Sequence, residues 1–248
     1  MHPVLFRIGA FNVYAYGFML ALAFTLCTLG FVRKGKDVGL PEEKLFGLVL
    51  WILVAAMLGA RLLYVLLEFP VYVADPLSIF NIRSGGLSFH GGLVFGIAAG
   101  LWYTYKHKLP QGQVADLLAP YVALGYAFVR IGCLLNGCCY GRPANVFWAL
   151  PAAYADDTMR HPTQLYAFFA ALLIFLLLRY REKRIRFAGQ LFWEFILLYS
   201  LYRFIVEFFR EVNMHLGMLT LGQAASLVGV IFAYVVIRFW PLGRKHVG

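Results

Sequence analysis

Four arginines stand where an ionised side chain is costly: Arg61, Arg130, Arg203 and Arg210 interrupt or end long apolar runs. A cation at membrane depth must be paired, hydrated or functional. None of the four is lysine, and the distinction is chemical. A guanidinium presents a planar fork of donors that fits phosphate or carboxylate bidentately and stays charged at any relevant pH. These four residues therefore point to a buried anion site. Arg203, Glu207 and Arg210 are spaced i, i+4, i+7, which puts them on one helical face, with Glu207 set to orient the arginines and offset part of their charge. The plainer alternative is a structural Arg–Glu pair with side chains snorkelling to the interface.

The run Gly85-Gly86-Leu87-Ser88-Phe89-His90-Gly91-Gly92 sets an imidazole among glycine pairs. Glycines allow close approach of backbone or ligand, and an imidazole with a pKa near about 6.5 suits proton transfer. A satisfied packing histidine is the alternative. Two polar, turn-forming segments accompany it: Arg130 to Arg142, and Arg160-His161-Pro162-Thr163-Gln164-Leu165-Tyr166, in which the proline suits a helix start. Tyr14 and Tyr16 belong to the first span at the same level. Cys138 and Cys139 could ligate a metal together with His90 or His161, but Cys-x4-Cys-Cys lacks the usual zinc spacing, so no metal or organic cofactor is expected. Four cysteines without paired spacings do not make a disulfide scaffold.

The elements that must position these groups are read from composition. Of 248 residues, 62% are hydrophobic and 14% charged, against roughly 25% charged in soluble domains. At about 20 apolar residues per span, the chain reads as an all-α integral membrane protein and a single polytopic domain over 1–248. Seven spans are expected, near 11–32, 45–67, 85–105, 115–135, 161–179, 189–210 and 219–239. The first run is too long, and its basic cluster follows rather than precedes it, so no cleaved signal peptide is expected. The formal charge of +10 raises the question of nucleic acid, but the placement of the cations answers it. Arg33, Lys34, Lys36, Lys44, Lys106, Lys108, Arg179, Arg181, Lys183, Arg184, Arg186, Arg238, Arg244 and Lys245 fall on one side, which the positive-inside rule makes cytoplasmic. The N-terminus is then outside and the C-terminus inside. The other eight cations, Arg7, Arg61, Arg83, Arg130, Arg142, Arg160, Arg203 and Arg210, are all arginine and all outward. The segments 68–84 and 136–160 are long enough for an extracytoplasmic cap.

With these residues in place, the chain resembles the bacterial phosphatidylglycerol–prolipoprotein diacylglyceryl transferases. The resemblance runs from Tyr14-Ala15-Tyr16-Gly17 through Gly59-Ala60-Arg61, Ser88 to Gly92, Asp116 to Pro120, Arg130-Ile131-Gly132, Asn136-Gly137, Gly141-Arg142 and Arg160 to Tyr166, to Arg203-Phe204 and Glu207 to Arg210. It implies a seven-helix fold in the bacterial inner membrane, with the site towards the outer leaflet. The implied reaction moves the diacylglyceryl group of phosphatidylglycerol to the lipobox cysteine of a preprolipoprotein signal peptide, forms a thioether and releases glycerol-1-phosphate. The nucleophile belongs to the substrate, so the enzyme need only assist deprotonation and stabilise the phosphate that leaves. By resemblance, His90 is the proton acceptor or relay, with Tyr16 and Glu207 orienting it. Arg130, Arg203, Arg61, Arg210, Asn136, Gly137 and Gly141 are expected to bind phosphatidylglycerol.

The chain departs from the family pattern at three positions. Cys133 stands where asparagine is usual, Cys138 where an acid is usual, and Ala167 where glutamate is usual. The two thiols are expected to fill their positions by packing or weak hydrogen bonds, with redox pairing of Cys138 as a further option. Two other readings compete: a paralogue with the same donor and another acceptor or headgroup, and a non-enzymatic protein that transports or binds an anion or lipid. Against transport, Glu194 alone carries polarity into the inner half of the spans.

Overall fold

The computed structural model describes residues 3–9, 11–81, 85–151, 158–211 and 215–240. Seven long helices appear among them, one at each expected span: α1 (Ala15–Asp37), α2 (Glu42–Leu67), α4 (Phe89–Lys106), α5 (Gln111–Asn136), α6 (Thr163–Arg181), α7 (Gln190–Glu207) and α8 (Leu221–Phe239); α3 (Phe69–Ala74) is a short helix after α2. Five of them, α1, α2, α5, α6 and α8, are long and apolar enough to cross a membrane. Short antiparallel pairs accompany the helices: β1 (Val4–Ile8) with β2 (Phe11–Tyr14), β3 (Leu150–Pro151) with β4 (Met159–Arg160), and β5 (His215–Leu216) with β6 (Leu219–Thr220). The first span is therefore shorter at its start than expected. Residues 11–14 pair as a strand, and α1 begins at Ala15, whose N–H donates to Pro3.

The helices bury few of their large side chains. Leu58 on α2 is 65% exposed and Val228 on α8 67%, an arrangement suited to a lipid surround and costly in water.

The chain forms two compact units: residues 32–114, and residues 1–31 with 115–248. In the smaller unit, α2 packs along α4 at a crossing of Gly59 on Gly91. A Cβ on either glycine would overlap the other's carbonyl oxygen, so the crossing needs both. In the larger unit, Ala119 and Ala123 of α5 pack with Ile174 and Leu178 of α6 and Leu191 of α7, flanked by Phe175, Phe192 and Phe195. Asp116 near the start of α5 accepts the N–H groups of Gly189 (2.6 Å) and Phe192 (3.1 Å). A carboxylate from another helix thus caps α7, satisfying N–H groups that no residue of that helix can reach.

Candidate active site

The larger unit gathers most of the expected groups. Arg130 lies in the last turns of α5, its guanidinium 4.6 Å from the centroid of the Tyr126 ring. Tyr126 meets Tyr199 of α7 edge on, with centroids 5.5 Å apart. The Arg130 Nε–H is buried and has no acceptor among the described residues. An unsatisfied buried donor costs about 1–3 kcal/mol, and an anionic oxygen arriving from a ligand would remove that cost.

Glu207 is the hub on α7, and it is 3% exposed. Its Oε2 pairs with Arg203 and stands 3.8 Å from the Arg210 Nε, while its Oε1 accepts from the Thr220 hydroxyl at 3.1 Å. Thr220 caps α8 in a reciprocal capping box with Gln223, so the carboxylate also meets the positive end of that helix. Gly222 makes room for it, because a Cβ there would overlap Glu207 Oε1. Arg130 and Arg203 both act electrostatically on Tyr199 and Tyr202, and Arg130 and Arg210 both act on Cys139. Arg203 and Arg210 therefore flank one carboxylate, and Arg130 acts on the same tyrosines and thiol that they do. The surplus of positive charge suits a doubly or singly charged phosphate.

The turn that ends α5 supplies the rest. Gly137, with φ of 73°, takes the left-handed position; its N–H donates to Leu134 and that of Cys138 to Cys133, both at 3.1 Å. This pair of bonds is a Schellman turn, which closes the helix and folds the chain back on it. The result is a cluster of thiols. The Cys133, Cys138 and Cys139 sulfurs all lie within 4.8 Å of one another. Thr163 and Gln164, in the first turn of α6, donate to the Cys139 and Cys138 carbonyls, each at 2.7 Å. The Cys138 thiol donates to the Cys133 carbonyl at 3.7 Å and the Cys139 thiol to the Cys138 sulfur at 3.8 Å, and Arg130 and Arg210 both favour the ionised form of Cys139.

Tyr16, in the first turn of α1, packs against Gly132 and lies within electrostatic reach of Arg130. Asn136 is the last residue of α5, half-buried, and its side chain has no hydrogen bond among the described residues. Gly141 is seated between chains: its N–H donates to His161 at 2.9 Å, that of Arg142 donates to Phe209 at 2.9 Å, and a Cβ would overlap Phe209. Gly137 and Gly141 thus shape the loop, and any contact they make with a ligand is through backbone.

Two expected residues lie in the smaller unit. The five N–H groups of Arg61 are all taken by backbone carbonyls: Ser78 (2.6 Å), Ile79 (2.8 Å), Gly86 (2.9 Å), Gly85 (3.0 Å) and Asn81 (3.2 Å). The expectation that Arg61 binds phosphate meets a guanidinium with no donor to spare; its observed work is to hold the loop after α3. His90 is exposed in the first turn of α4, edge on to Phe89 at 5.7 Å, with no hydrogen bond among the described residues. Its neighbours Gly91 and Gly92 serve helix packing on Gly59 and Ala56. Arg83, Arg244 and Lys245 lie outside the described residues.

His161 and Tyr166 form a further group that the expected phosphatidylglycerol-binding and proton-transfer residues do not include. His161 Nδ1 is 3.0 Å from the Tyr166 hydroxyl, which also accepts from Trp148 Nε1 at 2.6 Å. Together with Tyr202, Ile205, Val206 and Phe209 these residues line an apolar groove of about 300 Å³. The signal was present as His161-Pro162 at a helix start with Tyr166 one turn on, but Trp148 is remote in sequence.

Comparison with known proteins decides the family. The family model described as prolipoprotein diacylglyceryl transferase matches residues 3–239. The chain belongs to the prolipoprotein diacylglyceryl transferase family. Relatives named phosphatidylglycerol–prolipoprotein diacylglyceryl transferase include one from Idiomarina loihiensis, 39% identical over 90% of this chain and 85% of the relative, and one from Geobacter sulfurreducens, 35% identical over 95% of each. A third, from Pseudoalteromonas atlantica, is 37% identical over 98% of this chain and 90% of its own length. Like the family model, these matches take in nearly every segment described above. With five helices of spanning length and composition, this prolipoprotein diacylglyceryl transferase family member is a multi-pass membrane protein. Cys133 and Ala167 are both buried, and Cys138 is half-buried.

Proposed function

We propose that this protein transfers the diacylglyceryl group of phosphatidylglycerol to the thiol of the lipobox cysteine in a preprolipoprotein signal peptide, the first step of bacterial lipoprotein maturation. The observation that carries the reading is the family match over residues 3–239, which includes Arg130, Arg203 and Arg210. The acceptor sulfur attacks a glyceryl carbon, the carbon–oxygen bond breaks, and glycerol-1-phosphate leaves with the electron pair. Arg130, with a buried N–H lacking an acceptor among the described residues, and Arg203 and Arg210, tethered by Glu207, are suited to meet the charge that develops on the departing phosphate. His90 is assigned as proton acceptor or relay and Tyr16 as a polar partner at the site. Asn136, Gly137 and Gly141 shape the headgroup pocket. Arg61 acts as a positioning residue through the loop it holds. The apolar groove beside His161 suits an acyl chain.

We place the protein in the bacterial inner membrane as one seven-span domain, N-terminus outside, with the reaction at the outer leaflet; the gathering of lysines in alternate loops supports this orientation. The helices α4 and α7, each of 18 residues, span about 27 Å at the helical rise, close to the hydrocarbon thickness.

Incubating the purified protein with phosphatidylglycerol and a synthetic lipobox peptide, followed by mass spectrometry, tests the reading. A diacylglyceryl increment on the cysteine with stoichiometric glycerol-1-phosphate is expected. An unmodified peptide from intact protein overturns it. Because thiols replace polar groups at Cys133 and Cys138, the assay is repeated with other phospholipids; an increment with one of those alone identifies a paralogue.

A further inference from the structure

The three-thiol cluster has no part in the transfer as derived so far, and its geometry is that of a ligand set. The Cys138 and Cys139 sulfurs are 3.8 Å apart, and all three sulfurs lie within 4.8 Å of one another. Zinc–sulfur bonds of about 2.3 Å place thiolates at tetrahedral corners about 3.8 Å apart. Backbone holds the ligands in register: the Schellman turn returns Cys138 and Cys139 to Cys133, and Thr163 and Gln164 fix the two carbonyls that follow. Charge is also provided for. Three thiolates and a divalent ion sum to one negative charge, and Arg130 and Arg210 both act on this cluster, as a partly buried anionic centre requires.

We propose that Cys133, Cys138 and Cys139 form a three-thiolate site for a thiophilic divalent metal ion, zinc foremost, whose open fourth position receives the acceptor thiol of the transfer reaction. Three protein ligands with a fourth position open is the pattern of a reactive rather than a purely structural zinc site, and a thiol that coordinates zinc is held as thiolate. The acceptor loses its proton to solvent or a protein base on binding. Its sulfur then uses a lone pair to form the bond to the glyceryl carbon while the carbon–oxygen bond to phosphate breaks and the oxygen keeps the electron pair. No electron is gained or lost by the metal. The arginines beside the thiols are those assigned to the phosphate, so attacking sulfur and leaving oxygen would be served from one place. This second half of the proposal rests on the transferase reading; the metal site does not.

The test uses the full chain in detergent, loaded with Zn(II) or Co(II) and freed of excess metal by gel filtration. One retained metal per chain is expected, with the thiolate-to-cobalt charge-transfer and tetrahedral d–d bands of the Co(II) form. Three of the four thiols should be shielded from iodoacetamide by Zn(II), a readout that needs no variant. The Cys133→Ser/Cys138→Ser/Cys139→Ser protein should retain no metal. A lipobox peptide should shift the cobalt bands while its serine analogue does not, and chelation should lower transfer on the order of 10²-fold. No retained metal, an oxidised thiol pair, or metal that survives the triple substitution overturns the site. Cobalt bands indifferent to the peptide, with transfer that survives chelation, overturn the activation step. A loaded, spectroscopically intact site with no transfer to any peptide counts against the transferase reading and leaves the metal site standing.

Discussion

Arg61 and Arg130 are the same residue in the same kind of place, a long apolar helix, yet the structure uses them differently. Arg61 is 8% exposed and gives all five donors to carbonyls of a single loop. Arg130 lies against Tyr126 and keeps a buried Nε–H that meets no described acceptor. What separates a satisfied guanidinium from one with a donor to spare is read donor by donor. A guanidinium whose fork is full stabilises its surroundings; one whose fork is open is held ready at a cost that a ligand repays.

The largest effect that would break this comparison is at Arg130. Arg130→Ala should lower transfer of diacylglyceryl to a lipobox peptide by about 10²–10³-fold, the scale of a lost charge-stabilising donor, with little change in thermal unfolding. Arg130→Lys should recover only part, since an ammonium cannot reproduce the fork. An Arg130→Ala protein that melts early yet transfers normally would reverse the two roles.

The converse holds for Arg61→Ala. Five carbonyls lose a charged partner, and stability should fall by about 3 kcal/mol or more, read as an earlier melt in detergent and proteolysis within residues 75–86. Transfer per folded molecule should change far less. Glu207→Gln sits between the two cases. It keeps the shape but removes the charge that tethers Arg203 and Arg210, so transfer should fall about tenfold, near the worth of one charge-assisted bond, while the helices stay intact.

How much of this was legible in the sequence follows from the range of the forces involved. Each of the seven expected spans has its helix because apolar length and basic punctuation are local signals. Arg203 and Glu207 pair because helical spacing is local too, whereas Arg210 lies beyond the end of α7, bridged to Gly141, and comes within 3.8 Å of Glu207 from there. The first boundary was misplaced because residues 11–14 are apolar enough for a span but pair with β1, a partner that hydropathy does not register. The role of Arg61 was hidden for a related reason: its partners are main-chain carbonyls, which carry no residue-type signal. The thiols of Cys-x4-Cys-Cys do not match the usual zinc spacing, and what brings them together is Gly137, which reverses the chain at a helix end. Trp148 joined His161 and Tyr166 only once the segment before β3 was folded.

Tyr166 offers the smallest and finest test. Its hydroxyl is occupied, accepting from Trp148 and lying against His161 Nδ1, so by the donor count it is structural like Arg61. It nevertheless lines the apolar groove of the larger unit. Tyr166→Phe removes one hydroxyl from a network of neutral partners, worth about 0.5–1.5 kcal/mol. If the group is structural, the melting temperature falls slightly and donors of all chain lengths suffer alike. If the groove seats an acyl chain, the change appears instead as a shift of roughly fivefold or less in preference between short-chain and long-chain phosphatidylglycerol, measured in competition in one reaction. The second result is the expected one, because the aromatic rings that line the groove remain and their spacing loosens when the hydroxyl no longer ties them. A melting change without any change in chain preference would make Tyr166 a counterpart of Arg61, and would leave the Arg130 Nε–H as the sharper mark of the site.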